Sequence, residues 1–337
     1  MLEKNLFIDA KKKVLFCEIM KKIAIVTRDC AGVNAAIRAI VRTANKYHIE
    51  VVGVLRGYDG LIDGKFTPMN RRSVSGIINL GGTILKTSRS KRFLTDAGQK
   101  QAIKNIKKNN IDYVIVIGGD GSLKGAYHLA KRSKIPVIGI PATIDNDIMG
   151  VDLAIGADTA VNVALDALDK IRDTATSLER IFIIEVMGRE SGYIAMQVAL
   201  AGGCEEVLLP EKKTDIKTMC REIMQGEQKG KSSWIIVVAE GKAKAHDVAR
   251  IITKKTGLET RVAVLGHIQR GGHPTAVDRI LASQLGNYAV KILRDGQTDL
   301  CVNMNNDTLG TIPLSVAIQA KKIKVTETYK LIKLLTR

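Results

Sequence analysis

The chain has 337 residues, enough to bury two cores. It is 45% hydrophobic and 26% charged, a globular composition with no apolar run of membrane-spanning length. Five scattered cysteines, without CxxC spacing or histidine partners, argue against a disulfide framework or a zinc site and for a reducing, cytoplasmic setting. The formal charge of +18 admits nucleic-acid binding or attraction of polyanionic metabolites; spread-out lysines and only 4% aromatics favour the second, so neither nucleic acid nor membrane is expected as a partner.

Residues 1–19 stand apart. Lys11-Lys12-Lys13 lies between two apolar stretches, and Met20 directly precedes the first convincing strand. The segment reads as a disordered extension or an overcalled start; its apolar part is too short and too broken by Glu18 and lysines for a signal peptide. A membrane-surface helix is the alternative. From Lys22 onward strands and helices alternate. Ile23–Thr27 reads as a strand, Asn34–Lys46 as a helix and Glu50–Leu55 as a strand, with helical patterns near 97–109 and 122–132. Val114–Ile117 and Pro136–Ile140 are apolar runs that read as buried parallel strands. Further helices are expected near 158–174, 192–201, 215–228, 245–256, 276–293 and 326–335, and strands at 180–186, 234–239 and 262–265. This alternation predicts an α/β protein with mainly parallel sheets, two of them at this length.

Two segments at strand ends carry the chemistry. In Gly118-Gly119-Asp120-Gly121-Ser122 the glycines let a polyphosphate approach main-chain N–H groups, the following helix offers its positive end, and Asp120 can hold Mg²⁺. By itself the motif favours this reading over an ordinary glycine turn with a capping Asp or Ser. Pro141-Ala142-Thr143-Ile144-Asp145-Asn146-Asp147 places two carboxylates around an asparagine after a buried strand. One can hold a metal while the other accepts a proton from an attacking hydroxyl; an Asx-rich turn is the bland alternative. Together the two segments describe a Mg²⁺-dependent phosphoryl-transfer site. Met187-Gly188-Arg189-Glu190-Ser191-Gly192 starts a helix after the Arg180–Glu185 strand, and Arg261, His267 and Arg270 bracket Val262–Gln269. Arginines at strand and helix ends suit a phosphorylated substrate, and Glu240, ending the Trp234–Ala239 strand, can accept sugar hydroxyls.

In this order the segments resemble the 6-phosphofructokinase family, of the bacterial ATP-dependent type. The resemblance also rests on Asn34-Ala35-Ala36-Ile37-Arg38, Gly57-Tyr58-Asp59-Gly60-Leu61, Gly81-Gly82-Thr83 and Leu265-Gly266-His267-Ile268-Gln269-Arg270-Gly271-Gly272, and it is collinear from about Met20 to Lys322. It implies two Rossmann-like three-layer α/β/α lobes, the phosphofructokinase fold. The larger, nucleotide-binding lobe would take 20–156 with 269–319, and the smaller, sugar-phosphate lobe 157–268 with 320–337. It further implies Asp145 as the base toward the 1-hydroxyl of fructose 6-phosphate, with Thr143 and Arg189 stabilising the transferring phosphoryl. Asp120 and Asp147 would organise Mg²⁺. Gly119, Gly121, Ser122 and Gly125 would line the ATP site, with Arg89 on its phosphates and Tyr58 near the nucleotide. Met187, Gly188, Arg189, Glu240, His267 and Arg270 would hold the sugar phosphate, and Arg180 and Arg261 would reach it from a neighbouring subunit of a homotetramer.

The resemblance also bears on donor and regulation. Pyrophosphate-using relatives carry Asp and Lys where this chain has Gly121 and Ala142, so the pattern implies ATP. Arg38, Arg42, Arg71, Arg172, Lys229 and Lys231, with Glu205 as a Mg²⁺ contact, match an effector site for ADP or phosphoenolpyruvate; solvated helix faces are the alternative. Ser233 stands where some relatives have His. The family's first loop usually reads Thr-Ser-Gly-Gly-Asp-Ala-Pro-Gly-x-Asn. Here it reads Thr27-Arg28-Asp29-Cys30-Ala31-Gly32-Val33-Asn34, two residues shorter and without the Gly-Gly pair. Arg28 either replaces the lost backbone donors or fills their pocket. A catalytically impaired, sugar-phosphate-binding or regulatory member and a pyrophosphate-using kinase therefore stay open as alternatives to a working kinase.

Overall fold

The computed structural model describes residues 22–336, and the expected extension over 1–19 lies outside them. In chain order the elements begin β1 (Lys22–Thr27), α1 (Val33–Lys46), β2 (Glu50–Val54), α2 (Tyr58–Asp63), β3 (Phe66–Met69), α3 (Asp96–Lys108), β4 (Tyr113–Gly118), α4 (Asp120–Ser133) and β5 (Val137–Pro141). They continue α5 (Ala157–Ser177), β6 (Ile181–Val186), α6 (Tyr193–Ala201), β7 (Glu206–Leu208), α7 (Ile216–Gln228), β8 (Trp234–Ala239), α8 (Ala245–Thr256) and β9 (Thr260–Val264). A 3₁₀ turn at Gly266–Arg270 leads to α9 (Ala276–Arg294), β10 (Leu300–Asn305), β11 (Thr308–Pro313), α10 (Leu314–Ala317) and α11 (Thr326–Leu335). The helix beyond Met187 begins at Tyr193 rather than at the motif itself, because Gly188 and Gly192 lie in the intervening loop. Among the described residues no helix is long and apolar enough to cross a membrane.

The chain divides into two compact units. Of the described residues, the first takes 22–143, Ile148–Gly156 and His273–Lys321; the second takes Ile144–Asp147, Ala157–Gly272 and 322–336. The sequence-based boundaries differ in placing 144–147 and 269–272 with the larger lobe and 320–321 with the smaller; the first two differences concern the site. The structure gives a physical reason for each of these two: Ser191 Oγ holds the Asp145 carbonyl at 2.6 Å, and Gln269 binds the Met187 N–H at 3.3 Å.

The first unit is built on a seven-stranded sheet in the order β11-β10-β5-β4-β1-β2-β3. Its interior pairs are parallel, and β3 and β11 close the edges antiparallel. β4 and β5 are buried along their whole length, which explains their unbroken apolar sequences. Ala24, Val26, Val114 and Val116 pack with residues of α3 and α4 such as Ile106, Leu123 and Leu129. Their strand neighbours Ile23, Ile25, Ile115 and Ile117, equally buried, face the other side, where α1 and α9 pack on each other. From β1 the strand order runs one way to β2 and the other way to β4 and β5. The sheet therefore has its switch point between β1 and β4, where ligands of α/β sheets bind beyond the strand ends.

The second unit has a wholly parallel sheet in the order β7-β8-β6-β9. Ile181, Ile183, Ile236 and Val238 pack against α7 and α8 on one face, and α5 and α6 contact the sheet from elsewhere in the unit. Met187, Glu240 and the 266–270 turn follow the C-terminal ends of β6, β8 and β9. Arg180 and Arg261 lie at the opposite ends of β6 and β9.

Candidate active site

In the first unit the site residues gather beyond β1, β4 and β5. The Gly119 carbonyl accepts the opening helical bonds of α4 from Ser122 (2.9 Å) and Leu123 (3.0 Å). Asp120 is thus the first residue of a 14-residue helix, where unpaired N–H groups and the helix dipole favour an anion. Its carboxylate is part-exposed and pairs with Lys124 one turn on, at 2.8 Å. At Gly121 a side chain would meet nothing within 4 Å, so the approach to this turn is open. Thr143 stands against the same turn: a Cβ on Gly119 would come within 3.1 Å of Thr143 Cβ, and the Ala142 N–H donates to the Gly118 carbonyl at 3.1 Å.

Tyr58 supports this turn from behind. Its hydroxyl donates to the Ser122 carbonyl at 2.6 Å, and its ring stacks on Phe93 with centroids 4.1 Å apart. Burial pushes the phenol well above its ordinary pKa, so it stays a donor. The ring approaches α4 closely enough that a Cβ at Gly125 would lie 2.7 Å from it, which is why only glycine fits there.

The first loop runs on from β1. The Arg28 N–H donates to the Ile117 carbonyl at 3.0 Å, and its guanidinium donates to the Ser88 carbonyl at 2.8 Å. Arg89, the next residue after Ser88, has an exposed side chain. Asn34 uses its whole amide. Its carbonyl accepts from the Ile84 N–H at 2.9 Å, and its NH₂ donates to the Leu80 and Gly81 carbonyls at 3.0 and 3.1 Å. That staple joins two motifs, at Asn34 and at Gly81-Gly82-Thr83, to which reading along the chain attached no mechanical role.

In the second unit Asp145 is the focus. Its carboxyl is pushed up to about 6, first by burial and then by the charge of Asp147; Arg270 pulls it back, Glu240 pushes it up again and Arg189 opposes. Residues distant in sequence therefore share one electrostatic neighbourhood. Asn146, between the carboxylates, sits at φ 49°, a left-handed conformation that asparagine tolerates better than most side chains. The strand ends are tied together as well. The Glu240 N–H donates to the Val186 carbonyl (2.9 Å) and the Gly241 N–H to the Gly188 carbonyl (3.0 Å). Gly188, at φ 139°, has a backbone that a Cβ would drive into the Ser191 carbonyl. Gln269, buried, braces the turn carrying His267 and Arg270 by donating to the Gly266 carbonyl at 3.1 Å. Gln269 and Ser191 escape sequence reasoning because their partners are backbone groups of distant segments.

Some expected residues lie elsewhere. Arg180 and Arg261 both pair with Glu259, the first through Nε at 2.8 Å, at the strand ends opposite Asp145. Of the expected effector residues, Arg38 and Arg42 lie one turn apart on α1, and Arg71 and Lys229 are exposed. Arg172 donates to the Gly202 carbonyl, and Lys231 pairs with Glu205 at 2.9 Å. Glu205 also accepts from the Ile235 N–H at 2.7 Å, so its carboxylate is engaged by the protein.

Among the described residues no group of three or more His, Cys, Asp or Glu side chains could hold a metal ion. Asp120, part-exposed at the first turn of α4, nevertheless has the chemistry Mg²⁺ takes, since that ion binds through one or two carboxylates and draws its remaining oxygens from phosphates and water.

A family model described as phosphofructokinase matches residues 22–293. An ATP-dependent 6-phosphofructokinase from Thermotoga petrophila is 49% identical over 305 residues, covering 90% of this chain and 96% of the relative. One from Bacillus subtilis is 49% identical over 292 residues, covering 86% and 91%. Among solved structures, Pichia pastoris phosphofructokinase in the T-state is similar at TM-score 0.85 and 30% identity; the match covers 94% of this chain but only 39% of that one. A pyrophosphate-dependent phosphofructokinase from Marinobacter aquaeolei is similar at TM-score 0.81 and 26% identity, covering 91% and 86%.

Proposed function

The chain belongs to the phosphofructokinase family, and from that premise we propose how its residues divide the work. It catalyses the ATP-dependent phosphorylation of fructose 6-phosphate, a glycolytic kinase reaction. Asp145 takes the proton of the sugar 1-hydroxyl as that oxygen attacks the γ-phosphorus; the bond to the β,γ-bridging oxygen breaks, leaving ADP and fructose 1,6-bisphosphate. The observation that carries this reading is the clustering of Asp147, Arg189, Glu240 and Arg270 around a half-buried Asp145 held near pKa 6. A base poised there is ionised at neutral pH yet basic enough to accept the proton.

Arg189 and Thr143 offset charge on the transferring phosphoryl, and Met187, Gly188, Glu240, His267 and Arg270 hold the sugar phosphate. Gly119, Asp120, Gly121, Ser122 and Gly125 form the nucleotide wall; the open space at Gly121 supports this. Arg89 reaches the nucleotide's phosphates. Tyr58 acts near the nucleotide by steadying the α4 turn through Ser122. When bound, Mg²⁺ neutralises phosphate charge, with Asp120 and Asp147 as its protein donors. The location of Arg180 and Arg261, away from Asp145, supports their serving a neighbouring subunit; the assembly in this reading is a homotetramer, and its setting is the cytoplasm. Arg38, Arg42, Arg71, Arg172, Glu205, Lys229 and Lys231, contributed by neighbouring subunits, form a regulatory site for ADP or phosphoenolpyruvate.

The test is a coupled assay with fructose 6-phosphate and either MgATP or pyrophosphate. Turnover with MgATP alone is expected. Sugar-phosphate binding without turnover on either donor would overturn the catalytic reading and leave a binding or regulatory protein. Turnover with pyrophosphate alone would move the donor assignment.

A further inference from the structure

Asp59, the second residue of α2, grips both neighbours of Arg89. Ser88 Oγ donates to Asp59 Oδ2 at 2.6 Å, and Ser90 Oγ donates to Oδ1 of the same carboxylate. Ser90 Oγ also accepts the Phe93 N–H at 3.1 Å. On the far side the Arg28 guanidinium holds the Ser88 carbonyl at 2.8 Å, so the segment is tied to α2 and to the first loop at once. The Arg89 side chain itself is exposed. The two serine hydroxyls hold the Asp59 carboxyl below the usual carboxylate range, so it accepts both bonds as an anion, the stronger kind of hydrogen bond.

We propose that Asp59 is a positioning residue for Arg89: by binding Ser88 and Ser90 it fixes the backbone from which Arg89 reaches the nucleotide's phosphates, and Arg28 completes the grip. The proposal rests on Arg89 being a phosphate ligand, as stated above. Fixing the segment on both sides of an exposed arginine lowers the ordering cost that each nucleotide would otherwise meet on arrival. It also gives Arg28 a role as a strut between the first loop and Ser88.

The test is a double-mutant cycle between Asp59→Ala and Arg89→Ala. Its readouts are calorimetric ADP affinity without sugar phosphate and the KM values for MgATP and fructose 6-phosphate. Asp59→Ala is expected to weaken ADP binding about tenfold and raise KM for MgATP in step, with KM for fructose 6-phosphate within about twofold. In the Arg89→Ala background the same change should alter ADP binding less than about twofold. Asp59→Asn, which keeps an acceptor, should recover part of the loss. If Asp59→Ala does not fold, Ser90→Ala carries the same cycle. An equal loss in both backgrounds overturns the proposal while sparing the Arg89 reading. Unchanged ADP affinity on Arg89→Ala overturns that reading, and the proposal with it.

Discussion

At Asp145, burial and the Asp147 and Glu240 charges work against ionisation, and Arg270 and Arg189 recover only part of the loss. Two outcomes follow at the residue scale. Asp145→Ser should lower kcat by several orders of magnitude with a modest change in KM, because the lost interaction belongs to the transition state; near-normal turnover would remove Asp145 as the base. Asp145→Asn should also stabilise the ligand-free, Mg²⁺-free protein at pH 8, by about 1–2 kcal/mol once solvent screening is allowed for. The sign comes from linkage. The folded pKa of about 6 lies above the ordinary 3.8, so wild-type stability is full below about 3.8 and declines as pH rises through 6. The advantage of Asp145→Asn in denaturant unfolding should therefore shrink as pH falls below 6. Gly121 offers a third test. Its neighbourhood has room for a side chain, so Gly121→Asp should leave stability within about 0.5 kcal/mol. Its charge beside the nucleotide should raise KM for MgATP about tenfold or more, and unchanged KM would place the phosphates elsewhere. The acidic and glycine motifs were legible because each lies within a few consecutive residues. The bonds from Ser191, Gln269 and Asn34 were not, since a polar side chain gives no sign in sequence of which distant carbonyl or N–H it will meet.

Among the elements, α4 shows how packing overrules propensity. Alanine at 125 would gain about 1 kcal/mol in helix propensity, yet its Cβ would meet the Tyr58 ring at 2.7 Å, and overpacking costs about 1–3 kcal/mol. Tyr58 cannot easily yield, because its ring is stacked on Phe93 and its hydroxyl is bound to Ser122. Gly125→Ala should therefore be net destabilising by about 1 kcal/mol and should weaken ADP binding, as read by unfolding and calorimetry. A stabilised variant would mean the ring moves freely. The long helices and buried strands followed from period and apolar runs. β3, β7, β10 and β11 did not. β3 and β7 are 4 and 3 residues long, and β3 contains Pro68. β10 and β11 form a hairpin across Asn306 and Asp307, both left-handed at φ 48° and 58°. That Asn-Asp pair was the one available signal, and weakly alternating flanks hid it.

For the whole molecule, the proposed subunit exchange has a direct consequence. Neither Asp145→Ser nor Arg180→Ala homo-oligomers should be fully active, but co-expressed mixtures should regain turnover, since one chain can supply Asp145 and its neighbour Arg180. Activity no greater than the sum of the separate variants would place both residues in one chain's site. The order of the long helices and buried strands, the residue types for phosphoryl transfer and the family resemblance were present in the sequence, because each is encoded by local pattern or contiguous motif. Only the tertiary structure decided that Asp145 shares its surroundings with Arg189, Glu240 and Arg270, that Arg180 and Arg261 lie at the opposite strand ends on Glu259, and that Asp59 and Arg28 meet around Arg89. Parallel strands bring residues far apart in sequence to a common edge, and the resulting burial and charge coupling depend on distances that no linear spacing contains.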